Sequence, residues 1–310
     1  MANKVIITGV NGFVGEHVVN TFIDAEYETL GLGHDNNPGE RVSSQLSEYI
    51  KCNLLDFSSV SRIDLSEVKV IIHLAGLSNV GESFKKALPY INDNVSMTYN
   101  LLEHARQQEF KGRAIIVSSA ALYSPNQSLP LTEDSLSLEN SPYAVGKLGV
   151  EHTANYFRLR GIDAVTVRPF NHIGPGQGKG FLLPDLYSQL TEASSSGANS
   201  ISVGNLATRR DYTDVRDIAK AYLLIATTEK LNYGLYNICT GRSLAGTDIL
   251  GMLQETMGVT DITPVVDPSN VRPTDIMDIY GNSSRLRDDT GWQPKIDIRQ
   301  TIKDFVASQK

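Results

Sequence analysis

Short apolar runs alternate with longer amphipathic stretches from the first residues of this chain. Lys4–Thr8 is a β-branched apolar run, and Val18, Val19, Phe22 and Ile23 then repeat at helical spacing. The strand signal returns at Thr29–Gly33, Tyr49–Cys52, Val68–Leu74, Ala114–Val117 and Ala164–Val167. Long helical stretches run from about Pro89 to Arg106 and from Tyr143 onward. Apolar strands separated by helices predict an α/β fold with a doubly wound, mostly parallel sheet covered on both faces.

After Arg168-Pro169 the alternation breaks. Phe170–Gly178 is a Gly/Pro loop, and Thr191–Ser200, small and polar, reads as a surface loop. Asp214–Thr228, Thr247–Met257 and Arg299–Ser308 read as helices, with Gly258 and Gly291 as C-caps. The division expected is a dinucleotide-binding unit of residues 1–169 plus about 209–240, and a smaller, mainly C-terminal lobe of about 170–208 plus 241–310. No internal repeat is visible.

Composition narrows the classes. The chain has 310 residues, 41% hydrophobic and 20% charged, with 28 basic against 35 acidic residues. That balance and the lack of basic runs argue against nucleic acid and against a membrane surface, so an anionic substrate must be met by local arginines. Cys52 and Cys239 are far apart in apolar surroundings, which gives neither a disulfide framework nor a metal site. No apolar run has the length of a membrane span or of a signal segment, and the cytoplasm is the expected compartment.

The chemistry-bearing residues sit at the joints of this pattern. Gly9-Val-Asn-Gly12-Phe-Val-Gly15 lies between the first strand and the first helix, where a glycine-rich turn lets backbone N–H groups approach a phosphate. Gly9, Asn11, Gly12, Phe13, Val14 and Gly15 are therefore cofactor candidates. At the end of the second strand, Gly33 and His34 stand where an NAD site usually carries a carboxylate, with Asp35 slightly late. Gly33 leaves room and His34 can meet a 2′-phosphate, so NADP is expected rather than NAD. Asn53 and Leu54, then Leu74, Ala75 and Gly76 at the fourth strand's carboxyl end, extend the cofactor set. His73, inside that strand, reads as a satisfied core residue.

Tyr143 and Lys147 are one helical turn apart, behind Pro142 and a cap from Ser141 or Asn140. Alone, the pair is an ordinary helical coincidence. Beside a dinucleotide site, an ammonium next to a phenol brings the phenol's pKa down towards neutrality. Ser119, at the carboxyl end of the fifth strand, can donate to a substrate carbonyl while Tyr143 delivers a proton.

The chain resembles the extended short-chain dehydrogenase/reductases, Rossmann-fold enzymes that modify nucleotide sugars. Thr8–Gly15, His73–Gly76, Val117–Tyr123, Tyr143–Lys147, Arg168–Gln177, Thr208–Val215 and Val271–Asp275 carry the resemblance in order along nearly the whole chain. Within that family, the Arg168–Gln177 loop and Arg285–Trp292 are similar to the GDP-6-deoxy-D-mannose reductases, which reduce GDP-4-dehydro-6-deoxy-D-mannose to GDP-D-rhamnose. The resemblance implies Ser119, Tyr143 and Lys147 as the catalytic set with Asn94 in support. It implies cofactor contacts from Ser118, Pro169, Phe170 and His172. It implies substrate contacts from Ser78, Asn171, Phe181 and Leu182, with Arg210 and Arg272 on the diphosphate. Asp211 and Asp275 are the competing surface partners of those arginines. A homodimer through the two long helices is also implied, with Gly146 and Gly149 either admitting a close helix or packing on the sheet. The family's 4,6-dehydratases need an acid and a base just after the catalytic serine or threonine. Here those positions are Ala120 and Ala121, whose methyl groups transfer no proton. A 4-reductase is expected, with an NAD-dependent 4-epimerase and a non-catalytic dinucleotide sensor as alternatives.

Overall fold

A computed structural model describes residues 3–270 and 276–309. In its first half, strands β1 (Asn3–Thr8), β2 (Tyr27–Gly33), β3 (Glu48–Lys51), β4 (Val68–His73), β5 (Arg113–Val117) and β6 (Asp163–Pro169) alternate with helices. Those helices are α1 (Phe13–Ile23), α2 (Glu40–Ser43), α3 (Phe57–Val60), α4 (Val80–Ser83), α5 (Ala87–Gln107) and α6 (Pro142–Arg158). The second half holds β7 (Asn171–Ile173), α7 (Leu182–Ser196), β8 (Ser200–Val203), β9 (Arg209–Arg210), β10 (Tyr212–Asp214), α8 (Val215–Thr227) and β11 (Leu235–Ile238). It ends with β12 (Leu244–Ala245), α9 (Gly246–Met257), β13 (Thr263–Val266), β14 (Asp278–Ile279), α10 (Ser284–Thr290) and α11 (Ile298–Ala307).

Seven strands form one parallel sheet in the order β11-β6-β5-β4-β1-β2-β3. This is the doubly wound Rossmann arrangement, with the order reversing between β1 and β4. The sheet is apolar on both faces because both are covered. Val5, Ile7, Val70 and Ile72 pack with α1 and α8, while Ile6, Ile71, Ala114 and Ile116 pack with α3, α5 and α6. A separate core joins α7, α9 and α11 to β8 through Leu183, Leu190, Leu253, Ile302 and Phe305. Gly258 and Gly291 end α9 and α10 in the left-handed conformation, as the sequence predicts.

One expectation needs correction, and one left open is decided. The surface loop read at Thr191–Ser200 is largely the end of α7, which runs to Ser196 and stops at Gly197, φ 73°. The helix was hidden by composition. Its buried Leu183, Leu186, Leu190 and Ala193 keep helical spacing, while the exposed serines bond back to the helix itself. Ser195 Oγ donates to Thr191 O at 2.8 Å and Ser196 Oγ to Glu192 O at 2.9 Å. Gly146 and Gly149 do not pack on the sheet. They face α5 within the same chain, where a Cβ on Gly146 would run into the Tyr90 carbonyl oxygen and one on Gly149 would lie 2.5 Å from Val95 Cγ2.

Candidate active site

The turns that follow the carboxyl ends of β1, β4, β5 and β6 carry the site residues on one edge of the parallel sheet. Gly9 has φ +67°, and a Cβ there would lie 2.8 Å from Ala75 N, so this turn and the one after β4 touch only because the position is glycine. Gly15 leaves no space between α1 and the Val10 carbonyl. Gly12 is the N-cap of α1, and Phe13 and Val14 open the helix. Asn11 braces the turn from outside: its Oδ1 accepts from Gly39 N at 2.9 Å and its Nδ2 donates to Asp35 Oδ2 at 3.0 Å.

Behind the turns runs a buried polar chain that the sequence reading located only at its middle. Thr8 Oγ1 accepts from Ala75 N at 3.1 Å and lies 2.9 Å from His73 Nδ1. His73 Nε2 lies 3.1 Å from Thr98 Oγ1, which donates to Asn94 O at 2.8 Å. Burial pushes His73 down to about 3, so it is a neutral imidazole at neutral pH. Asn94 is itself buried. Its Oδ1 accepts from Leu77 N at 2.8 Å, and a Cβ on Gly76 would lie 2.9 Å from that oxygen and 3.7 Å from Lys147 Nζ. Leu74, Ala75, Gly76, Asn94 and Lys147 are thus one neighbourhood.

Ser141 caps α6, accepting from Ala144 N at 3.1 Å, and Pro142 starts it. Tyr143 and Lys147, both 6% exposed, sit on its inner face. The Ser119 hydroxyl, just past the end of β5, accepts from Ala121 N at 3.1 Å and lies within hydrogen-bonding reach of the Tyr143 phenol. The electrostatics differ from the sequence expectation. Burial raises the Tyr143 phenol above its ordinary value, and the downward pull comes from the Ser119 hydroxyl. Lys147 donates to Val117 O at 2.7 Å, with its ammonium 6.0 Å from the Tyr143 ring centroid. Burial brings Lys147 down to about 8 while Glu151 acts to raise it.

The remaining candidates lie in several separate local environments. Ser118 is buried, and its Oγ has no hydrogen-bond partner among the described residues. His172 stacks on Phe13 at 6.1 Å and donates from Nδ1 to the Phe170 carbonyl oxygen, 3.1 Å away. Pro169 ends β6, Phe170 is buried beside Tyr123, and Asn171 opens β7 exposed. Ser78 is exposed after β4. Phe181, 44% exposed, is the N-cap of α7 and Leu182 its first residue. Asn53 is exposed in a turn where its Oδ1 accepts from Leu55 N, whereas the Leu54 side chain belongs to the core under β2. His34 is 84% exposed and 3.4 Å from Asp35. Gly33 is explained by packing rather than by room for a phosphate, because the Tyr49 hydroxyl fills the space a Cβ would need.

Arg210 is half-buried and donates from Nη1 to Arg209 O at 2.8 Å and Ile276 O at 2.6 Å. The Asp211 carboxylate accepts instead from Thr240 N and Oγ1 and from Gly241 N, at 2.7–2.9 Å. Arg272 and Asp275 lie outside the described residues. Sequence reasoning missed Thr8, Thr98 and the buried pair Arg168–Glu151. An arginine inside an apolar strand was the available signal for the last of these.

A dinucleotide fits this site on two observations. The glycine cradle admits no side chain, and the buried Ser118 hydroxyl, without a partner among the described residues, is available to a ligand. Among the described residues no group of His, Cys, Asp or Glu is placed to hold a metal ion, and no helix is long and apolar enough to cross a membrane.

Fold and site together define an enzyme of the extended short-chain dehydrogenase/reductase type, acting with NAD or NADP on nucleotide sugars. Residues 6–305 match the family model described as GDP-mannose 4,6 dehydratase, and the chain belongs to that family. It is 29% identical to a GDP-6-deoxy-D-mannose reductase of Pseudomonas aeruginosa, over 99% of this chain and 97% of the relative. It is 27% identical to a UDP-glucose 4-epimerase of Yersinia enterocolitica, over 99% and 97%. Among solved structures, RMD from Pseudomonas aeruginosa complexed with NADPH superposes with a TM-score of 0.85 at 28% identity, covering 99% of this chain and 98% of that one. A UDP-glucose 4-epimerase from Thermotoga maritima with UDP-glucose gives 0.87 at 25% identity, over 99% and 98%.

Proposed function

We propose that this enzyme reduces the 4-keto group of a nucleotide-linked 4-keto-6-deoxy sugar with NADPH, in the manner of GDP-4-dehydro-6-deoxy-D-mannose to GDP-D-rhamnose. The observation that carries the reading is the pair Ala120 and Ala121 directly after Ser119. The site keeps the groups that move a proton at C4 and lacks those that would eliminate water across C5 and C6. A bound reduced nicotinamide supplies the hydride. Ser119 donates a hydrogen bond to the keto oxygen, and Tyr143 gives that oxygen its proton as the charge develops. A phenol kept protonated by burial is the right starting state for an acid, and Lys147 stabilises the phenolate left behind. Asn94 holds the turn after β4 against Lys147. Gly9, Gly12 and Gly15 cradle the cofactor diphosphate, and Arg210 and Arg272 take the diphosphate of the substrate, with Asn171, Ser78, Phe181 and Leu182 lining its path.

The core of α7, α9 and α11, residues about 170–208 plus 241–310, is read as the nucleotide-sugar lobe. The enzyme is read as a cytoplasmic homodimer. Exposed Leu88 and Tyr99 on α5 and Tyr156 on α6 support pairing through those helices.

Purified protein should oxidise NADPH in proportion to added GDP-linked 4-keto-6-deoxy sugar. The epimerase relatives favour a second reading on the same three residues. Interconversion of UDP-glucose and UDP-galactose, with NAD retained through purification and no reduced cofactor consumed, would replace the reductase by a 4-epimerase.

The cofactor preference has its own test. No carboxylate stands at the end of β2, and the nearest one, Asp35, is engaged by Asn11. NADPH should bind more tightly than NADH by at least about tenfold, about 1.4 kcal/mol, in parallel fluorescence titrations. Equal or reversed affinities would reject the NADP assignment.

A further inference from the structure

Outside the site, a buried ion pair lies between α6 and the sheet. Arg168 on β6 and Glu151 on α6 have side chains only 6% and 12% exposed. They meet fork to fork, Nε to Oε1 at 2.8 Å and Nη2 to Oε2 at 2.7 Å. The Tyr123 ring covers the guanidinium at 4.7 Å, and Nη2 reaches Ser137 Oγ at 3.5 Å. The third nitrogen, Nη1, is buried with no hydrogen-bond partner among the described residues. Such a pair is poor value for stability alone, since apolar residues fill the same space without the desolvation cost. Its geometry suggests another use.

Glu151 lies one turn beyond Lys147 and two beyond Tyr143, on the same face of α6. Lys147 is bonded to the Val117 carbonyl of β5. Successive turns of α6 are therefore tied to two adjacent strands, β5 through Lys147 and β6 through Glu151. Two such ties fix both the rotation of the helix and its height over the sheet. We propose that Arg168 and Glu151 are positioning residues that lock α6 so that Tyr143 and Lys147 face the mouth of β5. The proposal rests on the catalytic reading of Tyr143 and Lys147 given above.

The pair also acts through charge. The groups facing Lys147 are Tyr143 and Glu151 on its own helix, neutral His73 from β4, uncharged Asn94 from α5, and Arg168 from β6 behind Glu151. Glu151 holds the proton on Lys147 against burial. Geometry and charge can be separated with two variants of the full chain. Glu151→Gln keeps the shape and one hydrogen bond but removes the negative charge. Arg168→Lys keeps the charge but loses the fork.

Glu151→Gln is expected to move the basic limb of the kcat–pH profile to lower pH, because Lys147 then loses its proton more readily. Arg168→Lys should leave that limb in place. Both should lower kcat by about tenfold with KM within about twofold, the result of tilting a catalytic group by a fraction of its tolerance. The pH dependence of NADPH affinity reads the same lysine without turnover, so a failure of the substrate assignment, seen as an inactive wild type that still binds NADPH, is distinguishable from a failure here. Should Arg168→Lys not fold, the Glu151→Gln limb decides alone. A Glu151→Gln protein with wild-type kcat, wild-type pH dependence of NADPH affinity and only a lowered melting temperature would reduce the pair to a structural one and overturn the proposal.

Discussion

Replacing Tyr143 by Phe will lower kcat for keto-sugar reduction by about 10²–10⁴-fold, the usual worth of a positioned proton donor. The ring is buried on the inner face of α6 and loses only its hydroxyl, so folding and NADPH affinity should stay near wild type. In the proposed mechanism the proton is passed only in the transition state, so the effect belongs in kcat. The pH dependence sharpens the test. Lys147 gives up its proton at about 8, so the cation that stabilises the Tyr143 phenolate disappears as pH rises through that value, and kcat should fall with it. Stability should move the other way. A buried lysine whose folded value lies below its unfolded one imposes its full burial cost below about pH 8. That cost, roughly 3 kcal/mol, is relieved as pH rises from about 8 towards 10.5. Opposite slopes of activity and melting temperature between pH 8 and 10 would mark Lys147 as the titrating group. A Tyr143→Phe protein that reduced the keto sugar at the wild-type rate would remove Tyr143 from the mechanism.

Much of this fold is readable from the chain because its sheet is apolar on both faces. Val5–Ile7, Val70–Ile72 and Ala114–Ile116 are fully or almost fully buried, and no other environment suits such short β-branched runs. The glycine-rich turn and Ser141-Pro142 before Tyr143 were legible for a related reason: a close backbone approach and a helix start each demand particular residues. The end of α7 was not legible, because its serines satisfy their hydroxyls on the helix's own carbonyls and so imitate a loop. Electrostatic directions were also beyond the sequence. Spacing placed Lys147 beside Tyr143, but only burial depth determines that the phenol rises and the amine falls. The long-range partners Thr8–His73–Thr98 and Arg168–Glu151 share that character, since their members are brought together only by the finished sheet.

Gly146→Ala should destabilise the protein by about 1–3 kcal/mol, the usual cost of overpacking, and lower kcat as well. Taken as an isolated helix, the substitution would be favourable by about 1 kcal/mol, because alanine is the better helix former. Packing reverses the sign. The new Cβ meets the Tyr90 carbonyl oxygen, a backbone atom of α5 that cannot rotate away. The same oxygen accepts from Asn94 Nδ2 at 3.3 Å. Separating α6 from α5 therefore disturbs Asn94 on one helix and Tyr143 and Lys147 on the other. The measured signs should be a melting temperature lower by roughly 2–5 °C and a reduced kcat, with the state of association unchanged. Gly149→Ala provides the comparison. Its Cβ would meet Val95 Cγ2, the end of a side chain, at 2.5 Å, so the cost should be smaller. A Gly146→Ala protein of wild-type stability and altered association would place this glycine at a contact between subunits rather than in the α5–α6 seam of a single chain.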